Sequence, residues 1–372
     1  MSTWKREKER QSLWRLFDRN KNVALFAPRR LGKTWLMRTL ENEAETKGYA
    51  AVFIDLEAET TALGAVKKLC REINSKRVVS SFFSQLKTRM TDILHGDTQA
   101  ETFEDLLLKA DWESMLDATL SALNTADTPC LLLIDEVSVC LSSLLAVSKE
   151  EGAAFMRRLR EHQQKYTGIR WMLTGSIGLD HVAEQYGLGG TLNQLDPFPL
   201  NPLTPEQAKA YVNHLCSRRD LPRLENNCHQ LMQNRLGWLA PHYLSRLMDR
   251  IEDQAGDHAA TDNHIKQACD SLLSYPYNRV FSDWPDHINR NYPDDQKVLA
   301  HKVLVLLSAH PEGERMEAMR NNAMISGSDM NSLRNTLVSL ENDGFIQLNT
   351  DTGRYCFIFG LLREYWKRYQ AI

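Results

Sequence analysis

No Cys-x-x-Cys pair occurs in this chain, and its seven cysteines stand singly along 372 residues. An odd number without paired spacing argues against a disulfide framework or a thiolate zinc site, and it suits a reducing compartment. Cys130 and Cys140 flank an apolar strand and are expected to be packed rather than reactive. Histidine offers no substitute. The residues at 162, 181, 214 and 242 lack metal-ligand spacing, no Ser-His-Asp or Cys-His arrangement can be assembled, and Asp180-His181 reads as a helix start. A dominant charge is missing too: 45 Lys and Arg against 48 Asp and Glu leave a net charge of −3. That balance gives no global attraction to nucleic acid or anionic lipid. No apolar run approaches the roughly 20 residues that span a bilayer. Residues 1–8 are charged and without an apolar signal core, so a cytoplasmic protein with no membrane contact is expected.

What is present is a globular composition, 42% hydrophobic and 25% charged, in a chain longer than one ordinary core. Two or three domains are expected. The most informative stretch is Ala27-Pro28-Arg29-Arg30-Leu31-Gly32-Lys33-Thr34, one residue away from the Walker A pattern G-x-x-x-x-G-K-[ST]. Val23-Ala24-Leu25-Phe26 leads in as a buried strand, and Trp35-Leu36-Met37-Arg38-Thr39-Leu40 continues at helical spacing. In such a loop successive backbone N–H groups form an anion nest, and the positive end of the next helix points at the phosphates. The cradle runs from Ala27 to Trp35. Gly32 lets the backbone approach the phosphate, Lys33 reaches the β- and γ-phosphates, and the Thr34 hydroxyl is placed for Mg²⁺. Ala27 stands where the pattern asks for glycine, which costs steric freedom if that position needs an unusual φ. A surface strand-turn-helix without a ligand is the competing reading, so a second element is needed.

Cys130-Leu131-Leu132-Leu133-Ile134-Asp135-Glu136 supplies it. An apolar run without alternation reads as a strand covered on both faces, with two carboxylates at its C-terminal end, where ligands of open α/β sheets bind. Asp135 would hold Mg²⁺ directly or through water, and Glu136 would polarise the water that attacks the γ-phosphate. A further strand, Ile169-Arg170-Trp171-Met172-Leu173, ends in Thr174-Gly175-Ser176. Ser176, ahead of Thr174, is expected to act as a sensor of the γ-phosphate or attacking water; an ordinary strand exit is the alternative. Asp55 and Glu57 close another strand over residues 49–57, and they are either solvated carboxylates or neighbours of the metal.

The expected fold class is α/β: a P-loop NTPase core with a parallel sheet over residues 1–200, an α-helical lid over 201–290 and a winged helix over 291–372. Helices are expected between residues 61 and 126, interrupted at His95-Gly96-Asp97, and another around residues 155–160. The proline-rich stretch 196–206 marks the first boundary, with Thr204 as N-cap and Pro205 at the first helical position. The second unit remains helical to about Leu273. Toward the end come helices carrying Val303–Leu307, Met316–Met319 and Leu333, Leu337 and Leu340. Two short strands, residues 344–348 and 355–359, then flank the turn Asp351-Thr352-Gly353.

The motifs from Pro28 to Thr34, Ile134-Asp135-Glu136 and Thr174-Gly175-Ser176 occur together with Leu203–Ala208, Gly237–Leu244 and Leu361–Trp366. This combination resembles the archaeal-type AAA-like ATPases of the STAND class, over almost the whole chain. The doubled Arg29-Arg30 is part of the resemblance. It implies ATP and Mg²⁺ as cofactors, and a lid helix kinked at Gly237 and Pro241 over the nucleotide, with Pro241 touching it. From the residues alone, Gly237 and Pro241 read as a helix N-terminus. No arginine finger is evident; Arg157, Arg158 and Arg160 are candidates by location only.

Three functions compete. The first is an ATP-dependent switch in signalling or defence, alternating between ATP and ADP, with a protein partner or self-association; ATP is preferred because no N-K-x-D guanine-reading motif is found. The second is an ATP-controlled regulator that binds DNA through the winged helix. The presumed recognition helix, Ser328 to Asp343, weighs against it with an acidic excess of Asp329, Glu341 and Asp343 over Arg334. The third is a slow, nucleotide-bound scaffold for an effector encoded elsewhere.

Overall fold

The computed structural model describes residues 3–76, 82–93, 102–175, 179–219, 224–225, 228–256, 258–325, 327 and 329–370. His95, Gly96 and Asp97, and Ser176, lie outside the described residues, as does Ser328. The chain forms two compact units: Arg6–Phe26 with Lys33–Leu200, and Met1–Lys5 with Ala27–Gly32 and Asn201–Ile372.

The first unit is built on strands β1 (Asn22–Phe26), β2 (Ala50–Asp55), β3 (Cys130–Asp135), β4 (Ile169–Thr174) and β5 (Leu195–Pro199). All pairings are parallel, in the order β2-β3-β4-β1-β5. Every residue of β3 and β4 is buried. Continuous apolar runs of this kind are what a sheet covered on both faces demands. Two charged side chains stand among them: Asp135 at the end of β3, and Arg170 near the start of β4, whose Nε donates to the Phe17 carbonyl at 3.1 Å and another of whose nitrogens bonds Asn20. The core around the sheet gathers Val52, Ile54, Leu132, Ile134, Trp171 and Leu173 with helix residues such as Leu116, Leu141 and Phe155.

The register aligns the C-terminal ends of the strands. Asp55 pairs with Asp135, Ile134 with Leu173, and Leu25 with Thr174. The order also separates the loop strand β1 from the acidic strand β3 by one strand, β4, and Thr34 reaches Asp135 at the end of β3 across it. β5 is the strand that sequence patterning did not reveal. Its residues, Leu195-Asp196-Pro197-Phe198-Pro199, include two prolines, which a central strand does not tolerate. They are accommodated because β5 lies at the sheet edge and pairs only with β1.

Helices fill the connections. Lys33–Glu43 follows the loop, Ala62–Lys76, Phe82–Ile93, Phe103–Lys109 and Trp112–Asn124 lie between β2 and β3, and Val137–Val147 and Lys149–Lys165 join β3 to β4. The last pair arises because Ser148 leaves helical geometry and caps the second helix, its hydroxyl accepting from the Glu151 N–H at 3.1 Å. A short helix, Leu179–Gln185, contains Asp180 and His181.

The second unit is helical from Pro205. Thr204 and Gln207 form a reciprocal cap, with N–H to side-chain oxygen distances of 2.9 and 3.2 Å. Helices Cys228–Leu236, Pro241–Ala255, Asp262–Leu272, Asp283–Asn291, Asp294–Ala309, Met316–Asn321 and Met330–Asn342 follow. The antiparallel hairpin β6 (Ile346–Asn349) and β7 (Arg354–Phe357) precedes a last helix, Gly360–Tyr369. The hairpin strands are shorter than the expected ones. Gly344 turns at φ 78° before β6, and Phe359 leaves β7 to cap the last helix. An aromatic cluster holds this unit: Tyr243 packs on Phe359 at 4.8 Å and stacks on Phe281 at 5.7 Å, and the Trp284 indole donates to the Tyr243 hydroxyl at 2.6 Å. Such pairs add about 0.5–1.5 kcal/mol each beyond the area they bury. No described helix is long and apolar enough to cross a membrane.

Candidate functional site

The phosphate-type loop leaves β1 and ends where the helix Lys33–Glu43 begins. Two of its residues have left-handed backbone, Gly32 at φ 89° and Arg30 at φ 70°. Ala27 is not among the residues with positive φ. This settles the steric question raised by its Cβ: the conformational freedom that the loop requires is used at Gly32 and taken by Arg30, not at Ala27. Arg30 thereby carries strain, since an L-residue in this region costs about 1–2 kcal/mol.

Lys33 and Thr34 open the helix, whose first N–H groups have no partner within it and whose dipole is positive at this end. Lys33 is buried, with 7% of its surface exposed. The Thr34 hydroxyl donates to Asp135 Oδ2 at 2.6 Å, joining the loop helix to the end of β3 across 101 residues of sequence. The other oxygen, Asp135 Oδ1, accepts the Glu136 N–H at 3.0 Å. Asp135 is only 2% exposed. Its burial raises its pKa above the ordinary carboxylate value, and Glu136 adds to that, while the Thr34 hydrogen bond and Lys33 oppose it. A carboxylate held at a dry strand end against its own desolvation is what a cation site requires of its ligands.

Glu136 is half-buried and stands at φ 57°, a second non-glycine residue with left-handed backbone, immediately before the helix Val137–Val147. Of the four described non-glycine residues with positive φ, two, Arg30 and Glu136, belong to these motifs. Strain of this kind concentrates at sites that need a fixed geometry.

The remaining sequence-based candidates are placed as follows. Thr174, 1% exposed, donates its hydroxyl to the Leu25 carbonyl at 3.2 Å, so it ties β4 to β1 beside the loop strand. Ser176 lies outside the described residues. Trp35 is 40% exposed, on the first turn after Thr34. Asp55 accepts the Glu57 N–H at 2.9 Å, a local turn, and the Leu56 N–H reaches the Asp135 carbonyl at 3.1 Å. Pro241 occupies the first position of the helix Pro241–Ala255 after Gly237 at φ 70°. Pro241 opens its helix as its local chemistry indicates, whereas Gly237 ends the preceding helix Cys228–Leu236, its N–H donating to the Gln233 carbonyl at 2.8 Å, so the two mark a break between helices. Arg158 is committed to Glu113 at 2.6 Å and Glu161 at 2.8 Å. Among the described residues no group of three or more His, Cys, Asp or Glu forms a metal cluster.

Sequence reasoning missed one feature of the loop, the left-handed backbone of Arg30. Arginine carries no signal for that conformation; a glycine or asparagine would have.

A five-stranded parallel sheet whose first strand runs into a Gly-Lys-Thr loop, with an acidic strand end against the loop threonine, defines a P-loop NTPase core. Residues 17–183, which hold the loop and β1 to β4, match the family described as AAA domain. Solved structures agree at the level of fold. The Walker-type ATPase PABY2304 of Pyrococcus abyssi superposes with a TM-score of 0.67 at 14% identity, over 97% of this chain and 95% of that one. The ORC2 protein of Aeropyrum pernix, solved as ADPNP-ADP complexes, gives a TM-score of 0.58 at 10% identity, covering 98% of this chain and 93% of its own. Its ADP form gives 0.52 at 9% identity, over 99% and 95%. No curated protein sequence matches this chain.

Proposed function

We propose that this chain binds ATP with Mg²⁺ and hydrolyses it as a nucleotide-driven switch. The observation that carries the reading is the 2.6 Å hydrogen bond from Thr34 to Asp135, which brings the two expected metal ligands together from motifs far apart in sequence. The residues fit the cation: two hard oxygens adjoin, and the desolvation of buried Asp135 is only partly offset by Lys33 and the Thr34 hydrogen bond. Thr34 and Asp135 would hold Mg²⁺, which would neutralise phosphate charge there. Lys33, buried at the helix start, holds phosphate charge. The Gly32 backbone lets the ligand come close, and the helix N-terminus orients it. Glu136, fixed in its unusual backbone conformation, holds and orients the attacking water and takes its proton. Ser176 remains the proposed sensor, and Pro241 a proposed nucleotide contact from the lid.

The three helices Asp294–Ala309, Met316–Asn321 and Met330–Asn342 with the hairpin β6-β7 have the order of a winged helix. Its proposed role is docking of a protein partner or a second copy. The finer STAND-type assignment, with a role in signalling or defence, rests on the motifs of the sequence and on this element order. Calorimetry with Mg-ATP tests the reading: the wild type binds, Lys33→Ala does not, and Glu136→Gln binds but turns over poorly. Absence of heat with the wild type overturns it.

A second reading, control of DNA, is favoured by one observation. Asn331, Arg334 and Asn335 are exposed on one face of the helix Met330–Asn342, at the spacing that places side chains together. A single cation on that face gives little phosphate attraction. Salt-dependent retardation of duplex DNA would place this reading first.

A further inference from the structure

The part of the phosphate loop from Ala27 to Gly32 belongs to the same compact unit as the C-terminal region. Two of its contacts there involve Arg30 and Pro28. Arg30, the strained residue, forms an ion pair with Asp283, the first residue of the helix Asp283–Asn291. Pro28 lies against Gly344, where a Cβ would come within 2.5 Å of the Pro28 Cβ and 2.7 Å of its Cγ. Gly344 also has φ 78°, so both space and backbone conformation select glycine there.

These two gripping points are joined to each other. His287, one turn after Asp283, lies 2.9 Å through Nε2 from the Asp343 carboxylate, and Asp343 precedes Gly344. Tyr292 donates its hydroxyl to the same oxygen at 2.8 Å. His287 and Asp343 are 2% and 4% exposed. Beside them, Trp284 meets Phe345 edge-on at 4.8 Å, so each neighbour of a gripping residue touches a neighbour of the other. Asp283-Trp284 and Gly344-Phe345 therefore form one bracket, closed by a buried His-Asp-Tyr network and an aromatic pair. Buried networks of this kind are rigid when their members are satisfied.

We propose that this bracket positions the phosphate loop: Asp283 and Gly344 hold Arg30 in its left-handed conformation and set how fast nucleotide leaves. The inference rests on the nucleotide-binding reading above. An ion pair held at one end by a rigid bracket offsets part of the strain at Arg30, and a close contact at Pro28 fixes the other side of the loop. Loss of either lets the loop relax out of the shape in which its N–H groups converge. The bracket lies beside the hairpin β6-β7, so a partner that pulls on this hairpin would act on the loop through Gly344.

The test is release of a fluorescent ADP analogue from the full chain, chased with excess ATP in a stopped-flow instrument. Asp283→Asn is expected to speed release about two- to fivefold, the range of a partly exposed ion pair. Gly344→Ala is expected to speed it about tenfold or more, because the added carbon must displace Pro28. Asp283→Glu keeps the charge and is expected to restore most of the wild-type rate. Asp286→Asn, on the same helix but directed to Arg290 at 3.9 Å, is the control and leaves the rate unchanged. If Gly344→Ala proves unfolded by circular dichroism, the two Asp283 variants decide alone. Unchanged release in Asp283→Asn overturns the proposal, as does equal acceleration by Asp286→Asn. Failure of the wild type to bind the analogue overturns the nucleotide-binding reading instead.

Discussion

Replacing Asp135 by asparagine should stabilise the protein in the absence of metal while abolishing Mg-dependent nucleotide binding. Asp135 is 2% exposed, and burial raises its pKa above that of an unfolded aspartate. A raised carboxylate is a cost to the folded state at neutral pH. The folded protein then holds the proton more tightly than the unfolded chain, so stability falls as pH rises. The cost is absent below the unfolded pKa of about 3.9, grows through the interval up to the folded pKa, and is complete above it. Asparagine keeps a carbonyl that can accept from Thr34 and carries no charge. Thr34→Val acts in the opposite sense. It removes the donor at 2.6 Å and leaves the carboxylate short of a partner, a loss of about 1–3 kcal/mol. At about 2–4 °C per kcal/mol for a unit of this size, Thr34→Val should melt several degrees below the wild type. Thermal melts in EDTA at pH 4 and pH 7.5 check both. The expected pattern is an Asn variant at or above the wild type at pH 7.5, with the gap closing at pH 4. If Asp135→Asn instead melts as low as Thr34→Val at pH 7.5, the carboxylate is a structural hydrogen-bond acceptor and the argument that it awaits a cation fails.

The other expectations concern separate parts of the molecule. Burial pushes the thiols of Cys70, Cys130 and Cys140 up to about 12, so native alkylation with iodoacetamide at pH 8 should modify Cys356 and spare these three, as read by peptide mass mapping. Leu132→Ala, in a strand buried throughout, should cost about 2–5 kcal/mol in urea denaturation. His242 is driven down to about 4, first by burial and then by Arg30 and Arg246, so its imidazole is neutral at pH 6. A group of this kind favours the folded state as pH rises from its folded to its unfolded value and adds nothing further above about 6.5. His242→Gln should therefore flatten the pH dependence of stability between pH 4 and 6.5, measured by denaturant titration at each pH.

The site was legible where chemistry and spacing coincide. Lys33, Thr34 and Asp135-Glu136 announce themselves because a phosphate loop and an acidic strand end need those residue types in that order. The strands β1 to β4 were equally plain, since each carries an apolar run without alternation, which Arg170 alone interrupts. β5 was not, because its prolines argue against a strand until an edge position excuses them. Arg29-Arg30 was legible as a charged pair and silent about backbone.

By itself the sequence determined which groups are available: a lysine, a threonine and two carboxylates at strand and helix ends, with apolar runs long enough to bury them. Only the tertiary structure decided which of them meet. The order β2-β3-β4-β1-β5 brings Thr34 to Asp135 across the end of β4, and a helix and a turn from the far end of the chain close on Arg30 and Pro28. Local residue preferences act over a few positions, whereas those contacts join residues a hundred or more apart. They exist because burial of the sheet and of the aromatic cluster fixes where each chain segment must pass.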